Sequence, residues 1–158
     1  MQSPCPYDLR PAKNSDGDAI RSLISGVLRD YGIPTNLATT EKDLADIEAN
    51  YQGAGGAFLV LVDQEKLIGT VALCRESDLS CELCRMYLAA GYRRQGLGRM
   101  LLETALRQAA ESGFSEVRLE TAAVLKEAIS LYQSVGFAVA CSPPLGKNCN
   151  LVMSKRLK

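Results

Sequence analysis

The stretch Arg93-Arg94-Gln95-Gly96-Leu97-Gly98 brings two arginines and two glycines into one short run. Set at the start of a helix, such a run suits a phosphate-bearing ligand. Backbone N–H groups at a helix N-terminus lack intrahelical partners and carry the positive end of the helix dipole. Glycines let a pyrophosphate approach that backbone closely, and arginines add charge-assisted hydrogen bonds. A glycine-rich turn that merely feeds a helix explains the same letters. A dinucleotide fingerprint wants a third glycine where Leu101 stands, although Glu120 lies ~20 residues on, where that fingerprint wants an acid. A P-loop wants Gly-Lys-Ser/Thr, which the chain lacks.

The chain has no histidine. That removes Ser-His-Asp and Cys-His nucleophilic machinery and every histidine-based zinc site. Proton transfer must then run through Glu, Asp, Tyr, Lys, Cys or water. Six cysteines are present, Cys5, Cys74, Cys81, Cys84, Cys141 and Cys149. They are scattered through strand-like or loop segments and read as reduced, packed thiols rather than as a disulfide framework. Cys81-x-x-Cys84 has metal-ligand spacing, but no second such pair follows. On a strand, positions three apart point to opposite faces, so these two thiols diverge and no metal is expected.

The elements that must position these residues follow from periodicity. Tyr7 to Pro11 reads as a strand. Asp16 to Tyr31 reads as a helix, with Ile20, Leu23, Ile24, Val27 and Leu28 on its apolar face. A second helix begins after a Thr39 or Thr40 cap, with only Leu44 and Ile47 as its stripe. Ala57 to Val62 is a buried strand, Asp63 to Lys66 a turn, and Leu67 to Cys74 the return strand of a hairpin. Glu82 to Leu88 is a further strand. Gly96 to Ser112 is the strongest helix, with Arg99, Glu103, Arg107 and Glu111 four apart on one face and Gly113 as its C-cap. Glu116 to Thr121 alternates as a strand, Val124 to Ser134 is helical, and strands near Phe137 to Cys141 and Asn150 to Ser154 close the chain. The order β-α-α-β-β-β-α-β-α-β-β implies an α/β (α+β) mixed sheet with helices on both sides.

Composition narrows the class. With 158 residues, 47% apolar and 23% charged, the chain fits a single domain over residues 1–158. Lys plus Arg and Asp plus Glu are 18 each, so no net field favours nucleic acid or an anionic membrane. No apolar run approaches the ~20 residues a membrane span requires. Met1 to Arg10 holds two prolines and no apolar h-region, which reads against a signal peptide and for a cytoplasmic protein.

Two segments carry a family resemblance. Leu88-x-x-x-Tyr92-Arg93-x-x-Gly96-x-Gly98, followed by Leu101-Leu102, resembles the acyl-CoA signature R/Q-x-x-G-x-G/A of the GNAT N-acetyltransferase superfamily. Downstream, Ala128-Ile129-Ser130-Leu131-Tyr132-Gln133-Ser134-Val135-Gly136-Phe137 is similar to that family's A-x-x-L-Y-x-x-x-G-F segment. Two positions depart from the pattern. Ala90 stands where the family often has proline, and Leu125 where it often has an asparagine that bonds the pantetheine arm.

The resemblance implies a GNAT fold with a splayed central sheet, and acetyl-CoA as cosubstrate with no metal. It implies direct attack of a primary amine, a small molecule by preference, on the thioester in a ternary complex. Met86, Tyr87 and Leu88 would line the cofactor, with the Leu88 N–H on the acetyl carbonyl. The amides of Gln95, Gly96, Leu97, Gly98 and Arg99, with the Arg93 and Arg94 side chains, would take the pyrophosphate. Tyr132 is the candidate acid for the departing thiolate; as a residue on the face of Leu125, Ala128 and Ile129 it is equally a core tyrosine. Glu82, read by strand parity onto the face of Met86 and Leu88, is the candidate base, and Glu120 is the alternative. A non-catalytic acyl-CoA-binding or regulatory module, a protein or peptide N-acetyltransferase, and a nucleotide-binding oxidoreductase are the rival functions. A homodimer is left open. The acceptor would be shaped by Leu28 to Thr40 and Ser142 to Asn150.

Overall fold

A computed structural model describes residues 6–33, 43–121, 123, 125–140 and 151–157. The Thr39 and Thr40 cap, the Ser142 to Asn150 segment, and Cys5, Cys141 and Cys149 lie outside the described residues. Among the described residues, seven strands, β1 (Asp8–Pro11), β2 (Ala57–Asp63), β3 (Lys66–Arg75), β4 (Ser80–Leu88), β5 (Glu116–Thr121), β6 (Ala138–Val139) and β7 (Leu151–Arg156), form one sheet in the order β1-β2-β3-β4-β5-β7-β6. All neighbours are antiparallel except β4 and β5. Joining two parallel neighbours requires a crossover, and helix α2 (Leu97–Glu111) supplies it.

Helices cover both faces, as the alternating runs require. The continuous apolar run of β2 splits by parity. Phe58, Val60 and Val62 meet Ile20 and Ile24 of α1 (Gly17–Asp30), while Leu59 and Leu61 join Leu101, Leu102 and Ala105 of α2 in the other layer. Leu44 and Ile47, the thin stripe expected of the second helix, are both fully buried on the α1 side. That segment ends in a π turn, Glu48–Gln52, whose Tyr51 ring meets Phe58 edge-on with centroids 4.9 Å apart. Helix α3 (Lys126–Ser134) packs Ala128, Ile129 and Leu131 onto the α2 layer. It is closed by Gly136 at φ 107° with Phe137 behind it, in the C-cap geometry that a glycine permits.

Strand β4 is irregular where it matters. Its partner register runs Gly69–Leu88 and Thr70–Tyr87, then jumps to Ala72–Cys84, so β4 spends three residues where β3 spends two. The extra residue is a bulge, with Arg85 in the left-handed region at φ 53°. A bulge inverts side-chain parity, and this corrects the sequence reading of Glu82. Glu82 is the partner of Cys74 and shares the α1 face with Cys84 and Tyr87, whereas Met86 and Leu88 point into the α2 layer. Simple alternation put all three on one face because it carries no term for an inserted residue.

Candidate active site

The sheet opens at its centre. The β4–β5 ladder pairs Ser80 with Glu116 and ends at Leu83–Leu119, so Cys84 to Leu88 and Glu120 to Thr121 continue without each other. The backbone of Leu88 faces this opening. Ala89 N–H donates to the Ile68 carbonyl at 2.9 Å. Successive amides of an extended chain point to opposite edges, so Leu88 N–H is turned away from β3. Its carbonyl is held on that open side by Arg93 Nε, which donates to it at 3.2 Å. The Arg93 guanidinium also lies over the Tyr31 ring, 5.2 Å from its centroid, tying the end of α1 to the end of β4.

The loop from Arg93 to Gly98 then turns into α2. Arg94 at φ 64° and Gly96 at φ 79° are both left-handed. A left-handed residue next to a helical one gathers consecutive N–H groups into a concavity. No side chain caps the helix at Gly96, and a Cβ placed there would meet nothing within 4 Å. Arg94, Gln95 and Arg99 are exposed at this mouth, and Arg99 Nη1 donates to Ser134 Oγ of α3 at 2.9 Å. Gly98 has a different duty, since a Cβ there would lie 3.3 Å from Leu131 Cδ2 and 3.9 Å from Met86 Cε. Its bare backbone lets α3 close onto the start of α2. Tyr92 anchors the loop by donating to Asp63 Oδ2 at 2.6 Å.

The candidate acid and bases lie on opposite faces of the sheet. Tyr132 is 6% exposed in the α2 layer, edge-on to Phe137 at 5.9 Å. Glu82 and Glu120 are on the α1 face beside Arg118, the Cα partner of Glu82. Arg118 gives one nitrogen to Glu120 at 2.9 Å and another to Glu76 at 3.2 Å. Glu82 has no hydrogen bond or ion pair among the described residues. Burial, reinforced by the charges of Glu76 and Glu120, raises its pKa above the ordinary carboxylate range. Cys81 sits fully buried in the α2 layer and Cys84 on the other face, so the Cys81-x-x-Cys84 pair diverges as strand parity requires.

Sequence reasoning missed a cluster at the bulge. Arg85 donates to both Asp43 oxygens at 2.7 and 2.8 Å, and Tyr51 OH donates to the same carboxylate. The chain separation of 42 residues leaves no local pattern to read. The side chains of Arg85 and Asp43 are only 17% and 29% exposed, so each would be left poorly solvated without the other. Asp43→Ala should therefore lower the unfolding free energy by about 1–3 kcal/mol in a urea titration. A change under about 0.5 kcal/mol would mean that the pair merely breaks even.

A mixed sheet splayed between two parallel strands, with an uncapped glycine-bearing helix start at the opening, defines an acyl-CoA N-acyltransferase fold. Residues 25–137 match the Acetyltransferase (GNAT) family. The chain is 36% identical over 128 residues to the uncharacterized N-acetyltransferase YjgM of Escherichia coli K12, covering 77% of this chain and 76% of that protein. It is 34% identical over 101 residues to human N-acetyltransferase 8, where the match covers 60% of this chain and only 44% of that longer protein. The PaiA N-acetyltransferase of Thermoplasma acidophilum, solved with coenzyme A, superposes with a TM-score of 0.79 at 19% identity over 96% of this chain and 99% of that one. The chain belongs to the GNAT acetyltransferase family and is an acetyl-CoA-dependent N-acetyltransferase.

Proposed function

We propose that the chain transfers acetyl from acetyl-CoA to the primary amine of a small molecule by direct attack in a ternary complex. The observation that carries this reading is the opening between β4 and β5, with the Leu88 N–H turned into it and the uncapped start of α2 beside it. The residues fit an acyl-CoA. The amides from Gln95 to Arg99 hold the pyrophosphate, Arg94 adds charge from the surface, and Met86, Tyr87 and Leu88 border the acyl arm. Bound there, acetyl-CoA supplies the activated acetyl group. Leu88 N–H donates to the acetyl oxygen as negative charge develops on it, a contribution worth more in the transition state than in the ground state. Arg93 positions that amide through the Leu88 carbonyl. Tyr132 gives its proton to the departing sulfur.

Glu82 takes the proton from the amine, directly or through one water, because its carboxylate is unpaired whereas Glu120 is committed to Arg118. Glu82→Gln should lower kcat/KM and remove the acidic limb of its pH profile, leaving the limb set by the amine itself. Glu120→Gln should leave that limb in place; the reverse pattern would transfer the role to Glu120. The sign of the stability effect separates this from misfolding. A raised folded-state pKa means the folded chain binds the proton more readily than the unfolded chain, so stability falls as pH rises from the unfolded value through the folded one. Removing the charge with Glu82→Gln should accordingly raise Tm at neutral pH while activity falls.

Screening a library of small amines, amino acids and short peptides with acetyl-CoA and a free-thiol readout tests the acceptor class. Turnover confined to peptides would overturn the small-molecule assignment.

A further inference from the structure

The acetyl transfer proposed above makes no use of Cys74 and Cys84, yet their Sγ atoms lie 3.1 Å apart. β3 and β4 pair Ala72 with Cys84 and Cys74 with Glu82, so the thiols are diagonal neighbours on the α1 face. Diagonal positions of a regular antiparallel pair are about 7–8 Å apart. Side chains span that diagonal, and the bulge next to Cys84 breaks the regular ladder beside it. Both residues are half-buried, whereas Cys81 is sealed in the core and its thiol is pushed up to about 12 by burial.

The two partners are unequal. The two thiols share one hydrogen bond in which either sulfur can donate; with Cys84 as donor, the Cys74 thiol is lowered and Cys84, also buried, is raised. Two partly exposed thiols that share one proton within disulfide reach are the arrangement of an attacking and a resolving sulfur.

We propose that Cys74 and Cys84 are a redox-active dithiol that exchanges with low-molecular-weight disulfides and, once oxidised, slows acetyl transfer. The Cys74 thiolate attacks one sulfur of oxidised glutathione, forming a mixed disulfide and releasing one glutathione thiolate. Cys84, giving up its proton, then attacks Cys74 Sγ and displaces the second glutathione. The protein loses two electrons and two protons, and one disulfide becomes two thiols. Bond formation brings the sulfurs closer by about 1 Å. Cys84 immediately precedes Arg85, and Cys74 is the partner of Glu82, so this closure acts on the bulge and on the candidate base together. The effect on turnover rests on the active-site reading above; the thiol exchange does not.

The test treats the full chain with oxidised glutathione, blocks remaining thiols, and digests it with trypsin. Oxidation at this site joins the peptides Leu67–Arg75 and Glu76–Arg85 with the blocking group on Cys81, whereas a Cys74–Cys81 bond would leave that group on Cys84 and a Cys81–Cys84 bond would leave Glu76–Arg85 as one lighter peptide. The expected result is the joined pair, a fall in turnover of about tenfold or more with the best amine of the screen, and recovery with dithiothreitol. Cys74→Ser should keep its turnover under the same oxidation. No joined peptide overturns the dithiol, and a joined peptide with unchanged turnover overturns its control of the reaction. An equal loss in Cys74→Ser also overturns that control.

Discussion

Tyr132→Phe should lower kcat by about 10²–10⁴-fold and leave the affinity for acetyl-CoA within a few fold. The substitution removes one hydroxyl from a buried ring and keeps its contact with Phe137, so packing changes little. On the proposed mechanism, what is lost is the proton donor for the departing thiolate. A donor lets the sulfur leave as a neutral thiol, and a more acidic thiol needs that help less, so the loss should shrink with a thioester whose thiol is more acidic. Steady-state rates with acetyl-CoA, and calorimetry with coenzyme A, read the two quantities separately. A fall of less than a few fold would return Tyr132 to the role of a core tyrosine whose hydroxyl merely finds a partner.

Gly96→Glu should abolish coenzyme A binding by calorimetry while the chain stays folded. At φ 79° any side chain costs about 1–2 kcal/mol, which a domain of this size survives. The open space above Gly96 admits the side chain, so the fold has no steric reason to fail. The carboxylate would then stand over the uncapped N-terminus of α2, where it competes with the pyrophosphate for the same amides and repels it. Gly96→Ala is the control, carrying the backbone strain without the charge. If Gly96→Ala loses binding as fully as Gly96→Glu, the strain and not the anion site explains the result. Unchanged affinity in a folded Gly96→Glu protein removes the pyrophosphate from this loop.

Gly98 gives a contrasting lesson. The motif treats it as a second phosphate glycine, but its neighbours are Leu131 and Met86, so a larger side chain there would push α3 away. Its substitution disturbs the helix that carries Tyr132 as well as the helix start, and loses power as a test of either.

Much of this molecule was legible in the chain because its information is local. The alternating and continuous apolar runs of β2 to β5, the 3.6-residue stripes of α1 and α2, and the glycines at 113 and 136 each follow from interactions within a few residues. The loop at Arg93 to Gly98 was legible for the same reason, since arginines and glycines at a helix start act through their own backbone. The pairing of the two motifs pointed to the family that residues 25–137 match.

What tertiary structure decided was every relation that crosses strands. The bulge at Arg85 arises from the register between β3 and β4, and it moved Glu82 to the opposite face from Met86 and Leu88. Asp43 met Arg85 and Tyr51, Cys74 met Cys84, and Arg118 claimed Glu120 but left Glu82 unpaired. Arg93, read as a phosphate ligand, also reaches the Leu88 carbonyl and the Tyr31 ring. Periodicity fixes which face a residue takes relative to its own chain neighbours. Which charges and thiols share that face depends on register, and one inserted residue is enough to change it.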